Sequence, residues 1–169
     1  MLRALLAITV LAGAPQNPHA ALAGTWRLES YTRERLIAEP PGTATESLGA
    51  TQGLNVTVAG DTVTIVMVVT DARLRGVGVT DRYDVDGEPH TYEWGDVVPR
   101  EIGIRAASWS LDGFVVSDRG RLDSEPQEHR FTVSPDASIL THTITYPPPK
   151  APAWVRPALR DTLVFVREP

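Results

Sequence analysis

Four histidines, His19, His90, His129 and His142, are the side chains best placed by type for acid–base or metal chemistry, because imidazole titrates close to neutrality. Under strict alternation His142 shares a face with Leu140, Ile144 and Tyr146, and His129 shares one with Phe131 and Val133. Two imidazoles on apolar faces of neighbouring strands would line a polar spot inside a barrel, where either suits general acid–base work. If those faces point outward instead, both are simply solvated. There is no His-x-His or Glu-x-x-His spacing, so no metal is expected. His142 and His129 are therefore the catalytic candidates, with Tyr146 or Asp84 as neighbours, and His90, just after a turn, is expected at the surface.

Asp84-Val85-Asp86-Gly87, with Glu93 further on, partly matches a calcium loop. Arg82, however, stands where that loop needs its first carboxylate, and Pro89 with β-rich flanks denies it two helices. A plain turn fits better. Gly76-Val77-Gly78 lacks both the third glycine and the following helix of a dinucleotide site, and there is no Gly-x-Ser-x-Gly or P-loop. No cofactor is implied. The absence of cysteine excludes disulfides, Cys-ligated zinc and a thiol nucleophile.

The aromatic residues point to binding. Trp94, Trp109 and Trp154, with Tyr92, Tyr146 and Phe114, fall near strand ends or in loops, where they could rim the mouth of a barrel around an apolar ligand. The ligand-binding candidates are Trp94, Trp109, Tyr146, Trp154 and His142. The competing reading is that Trp109 belongs to the core and Trp154 pins its loop.

The elements that must position these residues repeat with period two. Trp26, Leu28 and Ser30 alternate with Arg27, Glu29 and Tyr31 in a first strand, and residues 34–50 read as a Pro/Gly/Thr-rich loop. Leu54–Val58 and Thr62–Val69 flank Ala59-Gly60-Asp61, a hairpin signal. Arg73–Tyr83 follows, with a bend or bulge expected at Gly76 and Gly78, and then Asp86-Gly87 turns the chain into His90–Trp94. Ile102–Leu111, Phe114–Arg121, His129–Val133, Ile139–Tyr146 and Thr162–Arg167 complete the strands. The Pro-rich segment 147–158 is a stiff loop and a candidate lid. About eight to ten strands with regular turns and no convincing amphipathic helix predict an all-β, antiparallel up-and-down barrel.

Composition narrows the partners. The 169 residues carry sixteen basic and twenty-one acidic side chains, a formal net charge of −5, with no basic stripe for nucleic acid. Residues 1–14 place Arg3 before an apolar run of about eleven residues, the layout of a secretory signal too short to span a bilayer. A cut near Ala20 would leave residues 21–169 as one barrel domain, secreted or periplasmic, with neither a lipid-modified cysteine nor a second apolar span to hold it in a membrane.

Leu22-Ala23-Gly24-Thr25-Trp26-Arg27-Leu28 opens the first strand, Tyr83-Asp84-Val85-Asp86-Gly87 forms the turn before a short aromatic strand, Val133-Ser134-Pro135-Asp136 a late turn, and Leu163-Val164-Phe165-Val166-Arg167 the last strand. In that order these motifs resemble the bacterial secreted lipocalin-like proteins of the calycin superfamily, over roughly residues 22–168. The resemblance implies a barrel closed at one end by Trp26, with Arg167 stacked across its ring as a structural pair. It also implies a small, mostly apolar ligand held inside. Two other readings stand beside it. One is a cyclase- or isomerase-type enzyme using a cavity histidine; the other is an envelope interaction protein with a filled barrel and an exposed apolar patch.

Overall fold

The computed structural model describes residues 19–37, 42–48, 52–70, 75–94, 100–121, 124–148 and 157–169, with only the backbone of 69, 70, 75–77 and 94. The described residues are 74% strand, folded as an antiparallel, nearly closed barrel. A short 3-10 turn, Ala20–Leu22, leads into β1 (Gly24–Ile37), β2 (Gly42–Ser47), β3 (Gln52–Ala59), β4 (Thr62–Thr70), β5 (Arg75–Asp84) and β6 (Pro89–Trp94). Then come β7 (Glu101–Ser110), β8 (Gly113–Arg119), β9 (Gln127–Val133), β10 (Ile139–Thr145) and β11 (Ala158–Arg167). No helix among the described residues is long and apolar enough to cross a membrane.

The sheet runs β5-β4-β3-β1-β11-β10-β9-β8-β7-β6. Most consecutive strands pair with one another, and the ring is joined by the first and last strands, from Trp26 opposite Arg167 to Arg35 opposite Ala158. No ladder joins β5 to β6, so one seam is left there. Gly76 is the extra residue of a bulge where β4 and β5 shift register, at the bend expected from its glycines.

Two expectations need correction. Residues 34–50 are not simply a loop: β1 continues to Ile37 and turns back as β2, whose Ser47–Gly42 pair with Thr32–Ile37. The Thr-rich stretch Thr43-Ala44-Thr45 suits an exposed edge strand, which alternation with apolar residues cannot reveal. The phase of β1 also changes. Leu28 faces Phe165 but Ser30 faces Val164, so Glu29 is bulged out, and Tyr31 and Arg33 join Trp26 and Leu28 on the inner face.

The interior is graded along its axis. At one end the turns at Gly60-Asp61, Leu111-Asp112 and residues 134–138 gather with the 3-10 turn around a packed core of Leu22, Trp26, Val63, Phe114, Leu140 and Phe165, each no more than 1% exposed. Phe114 and Phe131 stack at 4.6 Å between centroids, 5° from parallel. In the last of these turns Ala137 takes φ 56°, a backbone region costly for a side chain bearing Cβ. The strain is held by its neighbours: the Asp136 carboxylate accepts from Ser134 and Ser138, the Ala137 carbonyl from Arg167 Nε at 2.7 Å. Ala137→Gly is expected to raise stability by about 0.5–1 kcal/mol, the relief of strain exceeding the added unfolded-state entropy. A chemical-denaturation midpoint measures it; a lower midpoint would show that the turn is not under strain.

Candidate functional site

The open half of the interior is polar, and strand parity explains how. Inward positions along β11 run Phe165, Leu163, Asp161, and along β1 Trp26, Leu28, then Tyr31 and Arg33 after the bulge. Arg33 therefore lies directly opposite Asp161. Its Nε donates to Asp161 Oδ1 at 2.6 Å and its Nη2 to Oδ2 at 2.5 Å, a two-point fork. Oδ2 also accepts from the Tyr31 hydroxyl at 2.8 Å and the Tyr146 hydroxyl at 2.9 Å. Burial opposes ionisation of Asp161, but these donors outweigh it and hold its carboxyl below the usual range. Burial, reinforced by the bond to Asp161, pushes Tyr146 up to about 12.

A second cluster faces it from β5 to β8. Arg105 donates through Nη1 to Asp81 at 3.1 Å and approaches Asp118 through Nη2 at 3.3 Å. Its guanidinium lies 3.7 Å over the Tyr92 ring and 5.0 Å over Tyr83. The Tyr92 hydroxyl donates to Asp118 at 2.5 Å. Tyr92 can lie flat here because Gly103 stands opposite it; a Cβ on Gly103 would come within 2.5 Å of the ring. Because Arg105 on β7 bonds to Asp81 on β5, this cluster also fastens the β5–β6 seam. A cleft of about 100 Å³ opens there, lined by Tyr83, His90, Thr91, Tyr92 and Arg105 among others.

His129 and His142 bridge the two clusters. Their Nδ1 and Nε2 atoms lie 3.1 Å apart, and the His142 ring stacks on Phe131 at 4.0 Å. Burial pushes the His142 imidazole down to about 3 and lowers His129 as well. Both face the interior, as the alternation implied. Leu54 and Met67 pair across β3 and β4, Leu54 within the packed core and Met67 half-buried against it.

The other candidates are dispersed. Tyr146 joins the Asp161 cluster, but Trp109 lies at the closed end, packed 6.1 Å from Phe114 and 3.8 Å from the His19 ring. Trp109 and Tyr146 thus do not share a rim. Asp84 is also at that end, bonded to the Thr62 hydroxyl and removed from the histidine pair's partners. The Trp94 side chain, Trp154 and most of the Pro-rich loop lie outside the described residues. His90 is at the surface, ion-paired with Asp86 at 3.0 Å, and Asp86 also accepts from the Glu88 amide, so Asp84–Gly87 is a turn.

At the closed end the Arg167 guanidinium lies 4.2 Å over the Trp26 ring. It also donates to the carbonyls of Ala23, Ala137 and Ala21. Gly24, at φ 144°, makes room: a Cβ there would sit 2.6 Å from Arg167 Nη1. Arg33, Asp161, Arg105, Asp118 and Asp81 were not among the sequence candidates. The signal was present, since Asp161 keeps parity with Leu163 and Phe165, and Arg105 with Ala107.

No family model matches the chain, and no curated protein matches it. Several solved structures are similar, two of them as follows. One is a point mutant of the REP1-NXSQ fatty acid transporter, at 14% identity and a TM-score of 0.55, covering 88% of this chain and 99% of that one. The other is the wild-type fluorescent protein UnaG, at 12% identity and 0.54, covering 86% and 96%. Both are fatty acid binding protein-like barrels of the calycin type.

Proposed function

We propose that this calycin-like barrel is a binding module, exported with loss of residues 1–20, that holds one small, mostly apolar molecule in the open half of its interior. The observation that carries the reading is the division of the interior: a packed apolar floor, then inward arginine, aspartate, tyrosine and histidine side chains hydrogen-bonded to one another above it. A folded chain has little reason to build a hydrogen-bonded wall above a completed core unless something amphipathic rests against it. Partial exposure fits too, with Arg33 at 24%, Arg105 at 13% and Asp118 at 16%. The fold's resemblance to a fatty acid transporter supports the same class of ligand. A cut after Ala20 also preserves the Ala21 and Ala23 carbonyls that hold Arg167, whereas a cut after Ala23 would remove them.

Native mass spectrometry of the full-length chain expressed with its leader is expected to show the mass of residues 21–169 with a small molecule attached. Nile red should bind the emptied protein and be excluded by Ile144→Trp, which fills the lumen beside His142. Neither a co-purified molecule nor dye uptake would support a filled barrel that works through its outer surface instead.

One observation favours a second reading. His129 and His142 form a close imidazole couple on the inner face of the barrel, the residue type that moves protons in a cyclase- or isomerase-type reaction. In that case His142→Gln would abolish turnover of the bound molecule while leaving its binding intact.

A further inference from the structure

We infer that the lumen takes an uncharged amphiphile and rejects a fatty-acid carboxylate, an inference that rests on the binding reading above. The chemistry lies in how the interior charges are committed. A carboxylate ligand needs a cation whose charge is not already offset. Among the described residues the polar wall offers two, Arg33 and Arg105, and both are engaged. Arg33 presents its fork to Asp161, its Nη2 reaching the Tyr31 hydroxyl as well, so the face that a ligand carboxylate would need is occupied. Arg105 is shared between Asp81 and Asp118 and is covered on one side by Tyr92.

Three aspartates therefore face two arginines, and the wall carries a surplus negative charge. The histidines do not offset it, because burial keeps both imidazoles neutral. Among the described residues Arg35 also pairs with Glu46 and Arg121 with Glu101. An incoming carboxylate would be desolvated beside this surplus without a counterion. What remains for a ligand is a hydrogen bond to a guanidinium whose charge is already offset. Arg105 Nε is buried with no acceptor, and a carbonyl or hydroxyl oxygen would satisfy it. Met67, half-buried against the core on β4, offers apolar surface to a hydrocarbon chain.

The test compares 1-dodecanol with dodecanoate as competitors for Nile red bound to the full chain at neutral pH. Dodecanol is expected to displace the dye at a concentration at least about tenfold lower. Equal or better displacement by dodecanoate overturns the inference and leaves the binding reading intact. Displacement by neither overturns the inference, and failure of the dye itself to bind removes the binding reading too. Asp161→Asn, which releases Arg33, should improve dodecanoate about tenfold and change dodecanol little. Asp118→Asn, which leaves Arg105 paired with Asp81, should act in the same direction and serves if the first variant does not fold. A folded variant of either kind with unchanged dodecanoate affinity counts against the inference.

Discussion

Trp26→Ala is expected to lower stability by about 3–5 kcal/mol, the cost of truncating a fully packed tryptophan. The side chain is 0% exposed and sits where the first and last strands join. Its loss leaves three groups without their partner. The Leu22 carbonyl no longer accepts from the indole Nε1, now 3.0 Å away, and the 3-10 turn loses its tether. Arg167 loses the ring beneath its guanidinium, although its bonds to three carbonyls remain. The void also opens against Leu54, the residue opposite Trp26 in β3. Against a total stability of about 5–15 kcal/mol this is a large fraction, and the melting temperature should fall on the order of 10 °C. Trp26→Phe should recover most of the packing but not the hydrogen bond, and so cost about 1–2 kcal/mol. Calorimetry of the three proteins decides it: a loss below about 1 kcal/mol for Trp26→Ala would mean that the closed end can collapse around the void.

The second large effect is acid lability. His142, pushed by burial from 6.5 down to about 3, remains neutral in the folded protein while the unfolded chain takes up a proton. Its folded value is depressed, so stability is complete above the unfolded value of 6.5 and is lost progressively as pH falls from there toward 3. Each such group removes up to about 1.4 kcal/mol per pH unit within that window. His129 is shifted in the same direction by burial and adds to the loss. Asp118 and Asp161 face the pair and favour its protonation, while Arg105 opposes it for His129. His90, raised by its bond to Asp86, acts in the opposite sense but from the surface. Paired carboxylates such as Asp161, whose values are lowered, lose their contribution only at more acid pH. His142→Phe keeps the stack on Phe131 and should flatten the decline in urea midpoint between about pH 6.5 and 5 by up to 1.4 kcal/mol per pH unit. An unchanged slope would show that the imidazole becomes protonated without leaving the interior.

Much of the barrel was legible from alternation alone, because a wall with one wet and one dry face must alternate. Leu140-x-His142-x-Ile144 and His129-x-Phe131-x-Val133 put both imidazoles on apolar faces, but whether those faces turned inward or outward was left open until the barrel placed them inside. Trp26 and Arg167 were legible differently, as the two ends of a family pattern. The bulge at Glu29 was not legible, since a one-residue slip reverses every inward position after it and leaves no mark on composition. Without the slip, Tyr31 and Arg33 read as exterior. The charged wall was hidden for an energetic reason. An aspartate in step with Leu163 and Phe165 is improbable inside unless a cation meets it, and the partner of Asp161 lies 128 residues away in sequence. Alternation assigns a face; it does not assign partners across the ring. Trp109 shows the converse limit: its position near a strand end was read correctly, but alternation does not say which end of the barrel that is.

The seam between β5 and β6 gives the barrel an unusual relation between chain order and space. With β2 set aside as a side branch of β1, every barrel strand from β6 round to β5 neighbours its sequence successor except at one place, where β11 lies beside β1. Thr25 and Glu168 meet there, the Glu168 amide donating to the Thr25 carbonyl at 2.9 Å. A circular permutant joining these ends and opening in the turn after Asp84 would therefore be a meander in which every ladder but β1–β3, which skips the side branch β2, is made between consecutive strands. The one long-range closure would become local, and the mean sequence separation of contacts would fall, the quantity that most strongly slows folding of β-rich chains. The native connectivity places its costliest loop closure at the junction that Trp26 and Arg167 secure, so the contact that spans the most chain is also the one most heavily fastened.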